Sequence, residues 1–253
     1  MESKNHHINM PTDFHIKNIP FPDEKYFKQE FPKKQIVLHH TASGKGTNGD
    51  YRTFLNNKFR IATQYIIDVD GTVNQLFATS YWGHHLGITA DFMKAKGFAD
   101  SGVRNALLNK QSIAIEIDAW GGVAVKDGKY YSYTGTEIPE AEVIKYDTAF
   151  KTYGTGGKAT PNFFDKAGVA NKPCFHYHRY TPAQIAAVKQ LLIYLCNTYK
   201  IPNDYNADIW DVTLRALRGE SGIFCHVSYR NDKSDPSPQP ELIAMLKSLK
   251  SGL

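Results

Sequence analysis

Apolar residues recur along this chain with two different periods, and the alternation between them divides it into strands and helices. Ile36-Val37-Leu38 is apolar at every position, the mark of a strand covered on both faces, and predicts a strand over Gln35–His39. Ser112-Ile113-Ala114-Ile115-Glu116-Ile117 is a second strand, rich in β-branched residues. Two β-rich runs flank Asp70-Gly71 in "QYIIDVDGTVNQLF" and predict a hairpin; Asp127-Gly128 predicts another over residues 121–134. The period then changes. Thr181-Pro182-Ala183-Gln184 is a capping box with proline at the first helical position, and Ile185, Val188, Leu192 and Leu195 follow at helical spacing. Asp50 is the expected N-cap of a short helix, a further helix is expected over Asp208–Arg218, and Leu242, Met245, Leu246 and Leu249 form the apolar stripe of a last one after "SDPSPQP". Residues 1–34 read as a polar, irregular arm with a short helix near Glu24–Glu30 closed by Pro32, and residues 135–175 as insertion or loop. Strands alternating with helices predict an α/β fold, a single mixed central β-sheet flanked by helices.

Composition narrows the function classes. The chain has 253 residues, 42% hydrophobic and 13% aromatic, enough for a substantial core. Its formal charge of +5 is spread along the chain, and no arginine-rich helix, zinc-finger spacing or RNA-binding signature accompanies it, which argues against nucleic acid as partner. Cys174, Cys196 and Cys225 are odd in number and lack CxxC spacing, so neither a disulfide framework nor a cysteine metal cluster is expected. The first residues lack the apolar run of a secretory signal, and "IAAVKQLLIYLC" is short and interrupted by Lys189 and Gln190. The expectation is a chain made in the cytoplasm without signal peptide or membrane anchor.

Three polar features interrupt the apolar pattern: His39-His40 at the end of the first strand, Glu116 between two isoleucines, and "CHVSYRNDKSDPSP" from Cys225 onward. Adjacent strand residues face opposite sides, so only one of His39 and His40 can readily reach a given site; periodicity does not choose, because Ile36, Val37 and Leu38 are all apolar. Glu116 reads either as part of an edge strand with a solvated face or as a carboxylate lining a cleft. His176 and His178 are read as structural, and His6, His7 and His15 as exposed in the arm.

In order along the chain, "IVLHHTA", "QYIIDVDGTVNQLF", "HHLG", "SIAIEI", "YTPAQIAAVKQLLIYLC" and "CHVSYRNDKSDPSP" resemble the zinc-dependent N-acetylmuramoyl-L-alanine amidases shared by phage lysozyme-like amidases and peptidoglycan recognition proteins. The resemblance covers residues 36 to about 246. It implies one Zn2+ held by His39, His226 and Asp235, a set of two imidazoles and one carboxylate that leaves a tetrahedral position open. His40 then becomes a packing residue or a support behind the ligands. The resemblance further implies Glu116 as proton shuttle beside the metal, Lys233 as oxyanion stabiliser and His85 as a substrate contact at the rim of the cleft. Trp82, beside two histidines, reads either as a stacking face for sugar or as a residue packed under a loop. Two departures stand out: Gln64 replaces a histidine common in the family, and insertions at about 88–110 and 121–175 have no counterpart in minimal members.

These features give an N-terminal arm over 1–34 and a catalytic domain over 35–253. The implied reaction is hydrolysis of the amide between N-acetylmuramic acid and L-alanine in peptidoglycan, as a phage endolysin acting on the cell wall after release. Two other readings stay open: a non-catalytic peptidoglycan-binding module, and a cytoplasmic amidase that recycles muropeptides.

Overall fold

In the computed structural model, which describes residues 14–44, 46–156 and 160–249, a six-stranded mixed sheet forms the centre. Its first five strands in chain order are β1 (Ile16–Asn18), β2 (Gln35–His40), β3 (Tyr65–Ile67), β4 (Val73–Gln75) and β5 (Ser112–Ile117). Five short strands outside this sheet follow: β6 (Ala124–Lys126), β7 (Lys129–Tyr131), β8 (Glu137–Ile138), β9 (Val143–Lys145) and β10 (His176–His178). The chain returns to the central sheet with β11 (Gly222–Cys225). The spatial order is β1-β4-β3-β5-β2-β11. β3, β5, β2 and β11 run parallel, and β4 lies antiparallel to β3 across the Asp70-Gly71 turn.

Around the sheet stand α1 (Thr47–Asn56), α2 (Ala90–Ala95), α3 (Ser101–Gln111), α4 (Phe163–Lys166), α5 (Pro182–Tyr199), α6 (Leu214–Arg218) and α7 (Pro240–Lys247). The fold is therefore the expected α/β arrangement, a mixed sheet flanked by helices. α5 starts where its sequence says it should: Thr181 Oγ1 accepts from Gln184 N at 3.1 Å and Gln184 Oε1 accepts from Thr181 N at 2.9 Å. Gln184 Nε2 also donates to Asp118 O at 2.8 Å, tying the helix start to the end of β5.

Strand register sorts the polar residues between the two faces. His39 and Ile66 both lie abreast of Glu116, and residues abreast in a parallel ladder point to one face. Ile66 packs with Tyr51, Phe54 and Leu55 of α1. Tyr65 and Ile67, which point the other way, join the main core with Val188, Leu191, Leu192 and Leu195 of α5 and Leu242, Met245 and Leu246 of α7. His39 and Glu116 thus emerge on the α1 face. His40 turns to the α5 face, where its Nδ1 lies 3.1 Å from Tyr180 Oη.

Several expectations are corrected. The arm is not irregular throughout: Ile16–Asn18 pairs with Val73–Gln75 as the sheet's edge strand. Its helix is only a 3-10 turn at Asp23–Lys25, because Tyr26 and Phe27 turn inward to stack on Phe77 and Trp82, at ring separations of 4.5 and 3.9 Å. His15 is exposed as expected, and His6 and His7 lie outside the described residues. β5 is a central strand, which overturns the edge-strand reading of Glu116. The helix expected over Asp208–Arg218 is split into a 3-10 turn, Ala207–Trp210, and α6. Asp50 is no N-cap: α1 begins three residues earlier, after Gly46 at φ 70°, and Asp50 is buried inside it.

Residues 135–175 hold real structure. β8 completes a three-stranded sheet with β6 and β7, β9 pairs with β10, and α4 carries an Asn162 capping box. Ile144, Tyr153, Phe164, Cys174 and Tyr177 form a separate small core there. Strands of two or three residues are too short to display a period of two, so this part of the sequence looked featureless.

Candidate metal centre and active site

The polar residues collect at the carboxyl ends of β2, β5 and β11, the position where open α/β sheets place their ligands. A cavity of about 370 Å³ lies there, with His39, Glu116, His226, Lys233 and Asp235 on its walls. His39 comes from the end of β2, Glu116 from β5, and His226 from the first residue after β11. Asp235 returns to His226 through the loop that follows, where Val227 N donates to Asp235 O at 3.2 Å.

His226 Nδ1 lies 2.8 Å and His39 Nδ1 3.3 Å from Asp235 Oδ2, and the two imidazole centroids are 4.4 Å apart. The ligand atoms of all three residues fall within 4.8 Å of one another. Burial alone would raise the pKa of Asp235, but His226 and then His39 outweigh it and hold the carboxyl well below its usual range. His39 is pulled down to about 4, by burial first and His226 next, so its ring is neutral at physiological pH.

The trio fits a divalent metal. His226 Nε2 lies 3.0 Å from Leu86 O; a carbonyl only accepts, so that nitrogen carries the proton. In the neutral ring, Nδ1 then presents a lone pair to the carboxylate 2.8 Å away, an arrangement that a cation between them satisfies. Two neutral imidazoles and one carboxylate form the donor set of an open zinc site, and the held Nε2–H supplies the outer hydrogen bond such ligands use.

Glu116 stands abreast of His39 and is buried, with Oε2 lacking a hydrogen-bond partner among the described residues. Burial, then the charges of Asp235 and Asp50, push its pKa well above the ordinary carboxylate value, while Lys233 pulls the other way. Lys233 is half-buried on the cavity wall. A second hollow of about 330 Å³ adjoins the first, sharing Ile61, His85, His226 and Lys233 and adding Phe59, Asn105 and Arg230.

Of the two expected substrate contacts, Trp82 is closed off and His85 stays on the cavity wall. Trp82 is 5% exposed; Phe27 stacks on its ring at 3.9 Å and the Lys110 ammonium lies 5.3 Å from its centroid, so it offers no face to a sugar. His85 lines both hollows, but as a buried residue: its Nδ1 lies 3.1 Å from His39 Nε2 and its Nε2 2.6 Å from Ser112 Oγ. Gln64, the departure from the family pattern, ties β5 to the loop after β4: Ala114 N donates to its Oε1 at 2.8 Å and its Nε2 donates to Tyr81 O at 2.9 Å. His178 is structural, with Nδ1 3.3 Å from Trp120 N.

No sequence signal marks Ser112 or Asn109, and Asp50 reads there only as a helix cap. Each acquires its surroundings only when separate segments meet.

The family model described as N-acetylmuramoyl-L-alanine amidase matches residues 29–238. The chain belongs to this amidase family. No curated protein matches it. Among solved structures it is similar to PlyL, at 13% identity and a TM-score of 0.48, covering 94% of this chain and 99% of that one. It is also similar to the endolysine N-acetylmuramoyl-L-alanine amidase LysCS from Clostridium intestinale URNW, at 16% identity and a TM-score of 0.45, covering 94% and 96%. A third is an AmpD derivative, at 13% identity and a TM-score of 0.44, covering 91% and 93%. Among the described residues of this amidase, no helix is long and apolar enough to cross a membrane.

Proposed function

We propose that this amidase hydrolyses the amide between the lactyl group of N-acetylmuramic acid and L-alanine in peptidoglycan, with one zinc ion held by His39, His226 and Asp235, and that it serves as a phage endolysin. One observation carries the reading: two histidine Nδ1 atoms converge on a buried carboxylate in a cavity that also holds Glu116 and Lys233. Family membership supports the bond type. The adjoining hollow, which extends the cleft past the trio, supports a polymeric substrate over a small soluble one.

Zinc, when bound there, supplies Lewis-acid chemistry that polarises a carbonyl oxygen and acidifies water. Asp235 stays ionised and His39 stays neutral at the pH of the reaction, which keeps both fit as ligands. Glu116 takes a proton from the attacking water at its unpartnered Oε2 and returns it to the leaving amine; its raised pKa brings both halves of that exchange nearer neutrality. Lys233 places its ammonium at the cavity wall for the developing oxyanion.

Digestion of purified peptidoglycan is expected to release new L-alanine amino termini without new reducing ends, and to proceed faster on intact sacculi than on soluble muropeptides. Reducing ends without amino groups would mean glycan cleavage and sink the amidase assignment. A preference for soluble muropeptides would favour a recycling role, and binding without either product a recognition module.

A further inference from the structure

The backing of the two histidines comes from a single short segment. Asn109, near the end of α3 and 1% exposed, accepts at its Oδ1 from His85 N at 2.9 Å and from Leu86 N at 3.2 Å, while its Nδ2 donates to Asn105 O at 2.9 Å. The segment it pins presents the Leu86 carbonyl to His226 Nε2 and the His85 ring to His39 Nε2. The polarity of the second contact can be traced to its source. Ser112 Oγ lies 2.7 Å from Leu108 O and 3.4 Å from Asn109 O, carbonyls in the last turn of α3, where helical partners run out. A carbonyl only accepts, so the serine hydroxyl donates to Leu108 O and keeps lone pairs for His85. His85 Nε2 must then be the donor across the 2.6 Å contact, leaving its Nδ1 bare. Across the 3.1 Å contact the bare Nδ1 accepts, which puts the His39 proton on Nε2 and the His39 lone pair on Nδ1, facing Asp235.

We propose that His85 and Ser112, on the frame pinned by Asn109, are positioning residues that fix His39 as the Nε2–H tautomer and so commit its Nδ1 to the metal. In this role both act through His39. Reversing the chain, with Ser112 donating to His85, would put a proton on His39 Nδ1 and turn the ligand into an ordinary hydrogen-bond donor to Asp235. Removing the Ser112 hydroxyl frees His85 to adopt either tautomer, and His39 follows.

This rests on the metal reading above, and the test is chosen to stand apart from peptidoglycan cleavage. NMR of histidine-labelled full-length protein, metal-free and loaded with an NMR-active cadmium isotope, reads which ring nitrogen of His39 carries hydrogen and which couples to metal. The expected result is hydrogen on Nε2 in both forms and cadmium coupling at Nδ1. In Ser112→Ala, the metal-free spectrum becomes a mixture of tautomers and zinc affinity, measured by chelator competition, falls roughly 10- to 100-fold, as loss of outer-shell partners typically does. A wild-type spectrum with hydrogen on His39 Nδ1, or with cadmium coupled to Nε2, overturns the proposal, as does a Ser112→Ala protein that keeps one tautomer and full affinity. The wild-type spectra decide alone if Ser112→Ala does not fold. A chain that binds metal through His39 Nδ1 yet cleaves no peptidoglycan leaves the proposal standing and removes the amidase reading instead.

Discussion

Two groups of buried carboxylates share the mouth of the sheet and resolve the cost of burial in opposite ways. On one side, Asp235 faces two imidazoles, and its carboxyl is held well below the usual range although burial works against it. On the other, Asp118 just after β5 meets Asp50 from α1 and Asp68 from the turn after β3, and no basic group is among the causes that move Asp50 and Asp118. Burial and then Asp118 push Asp50 up to about 8; burial and then Asp68 push Asp118 up to about 6. One oxygen of each, Asp50 Oδ2 and Asp118 Oδ2, has no hydrogen-bond partner among the described residues. Glu116 stands between the groups and is raised by carboxylates of both. Burial therefore does not settle the charge of an acid here; the neighbours do. Matched with imidazoles, the carboxylate stays ionised and fit for a metal; among its own kind its pKa climbs, and Asp50 keeps its proton at neutral pH.

Removing the match breaks the comparison most severely. His226→Ala should lose metal and peptidoglycan cleavage together, and it leaves Asp235 without its nearest partner. Breaking a buried pair in this way typically costs about 3–5 kcal/mol, so the metal-free variant should also unfold at lower denaturant. Elemental analysis showing full zinc occupancy in His226→Ala would remove His226 from the ligand set.

A smaller effect is expected at Glu116. Glu116→Gln is nearly isosteric and should keep metal and fold, but an amide cannot shuttle a proton, and turnover should fall on the order of 10²–10⁴-fold. A variant with near wild-type rates would exclude Glu116 from the chemistry.

The smallest effect sharpens the other side of the comparison. Asp50 has a folded value of about 8 against an ordinary value of 3.8, so between those values the folded chain binds more protons than the unfolded one. Its contribution to stability is complete below about pH 4 and is lost as pH rises toward 8. Asp50→Asn removes the charge that appears in that window. The variant should melt a few degrees above wild type at pH 8 and close to it at pH 4, each kcal/mol being worth roughly 2–4 °C in a chain of this size. Equal melting temperatures for the two proteins at both pH values would show that Asp50 carries no such penalty.

Much of the frame was legible in the residues because its signals are local. The capping box at Thr181 and the hairpins at Asp70-Gly71 and Asp127-Gly128 each act within a few residues, and all three appear as expected. The apolar run before His39 marked a buried strand, and β2 is buried along its whole length. Where local signals are weak, the pattern of residues under-determines the structure. The aromatic segment 135–175 makes its own core through contacts between distant residues, and Asp50 resembles an N-cap in sequence while Gly46 takes that place.

By itself, the sequence determined the strands and helices that local chemistry dictates, and it supplied the residues whose order along the chain resembles the amidase family. Tertiary structure decided what those residues do to one another. β5 became a central strand because β2 and β3 both paired with it, and that register set Glu116 beside His39. His85 was brought within hydrogen-bond distance of His39, and Trp82 was closed off by Phe27, a residue of the arm 55 positions earlier in the chain. Hydrogen-bond direction, burial and the pKa of an acid depend on groups brought together from remote segments, and no local pattern encodes which groups those will be.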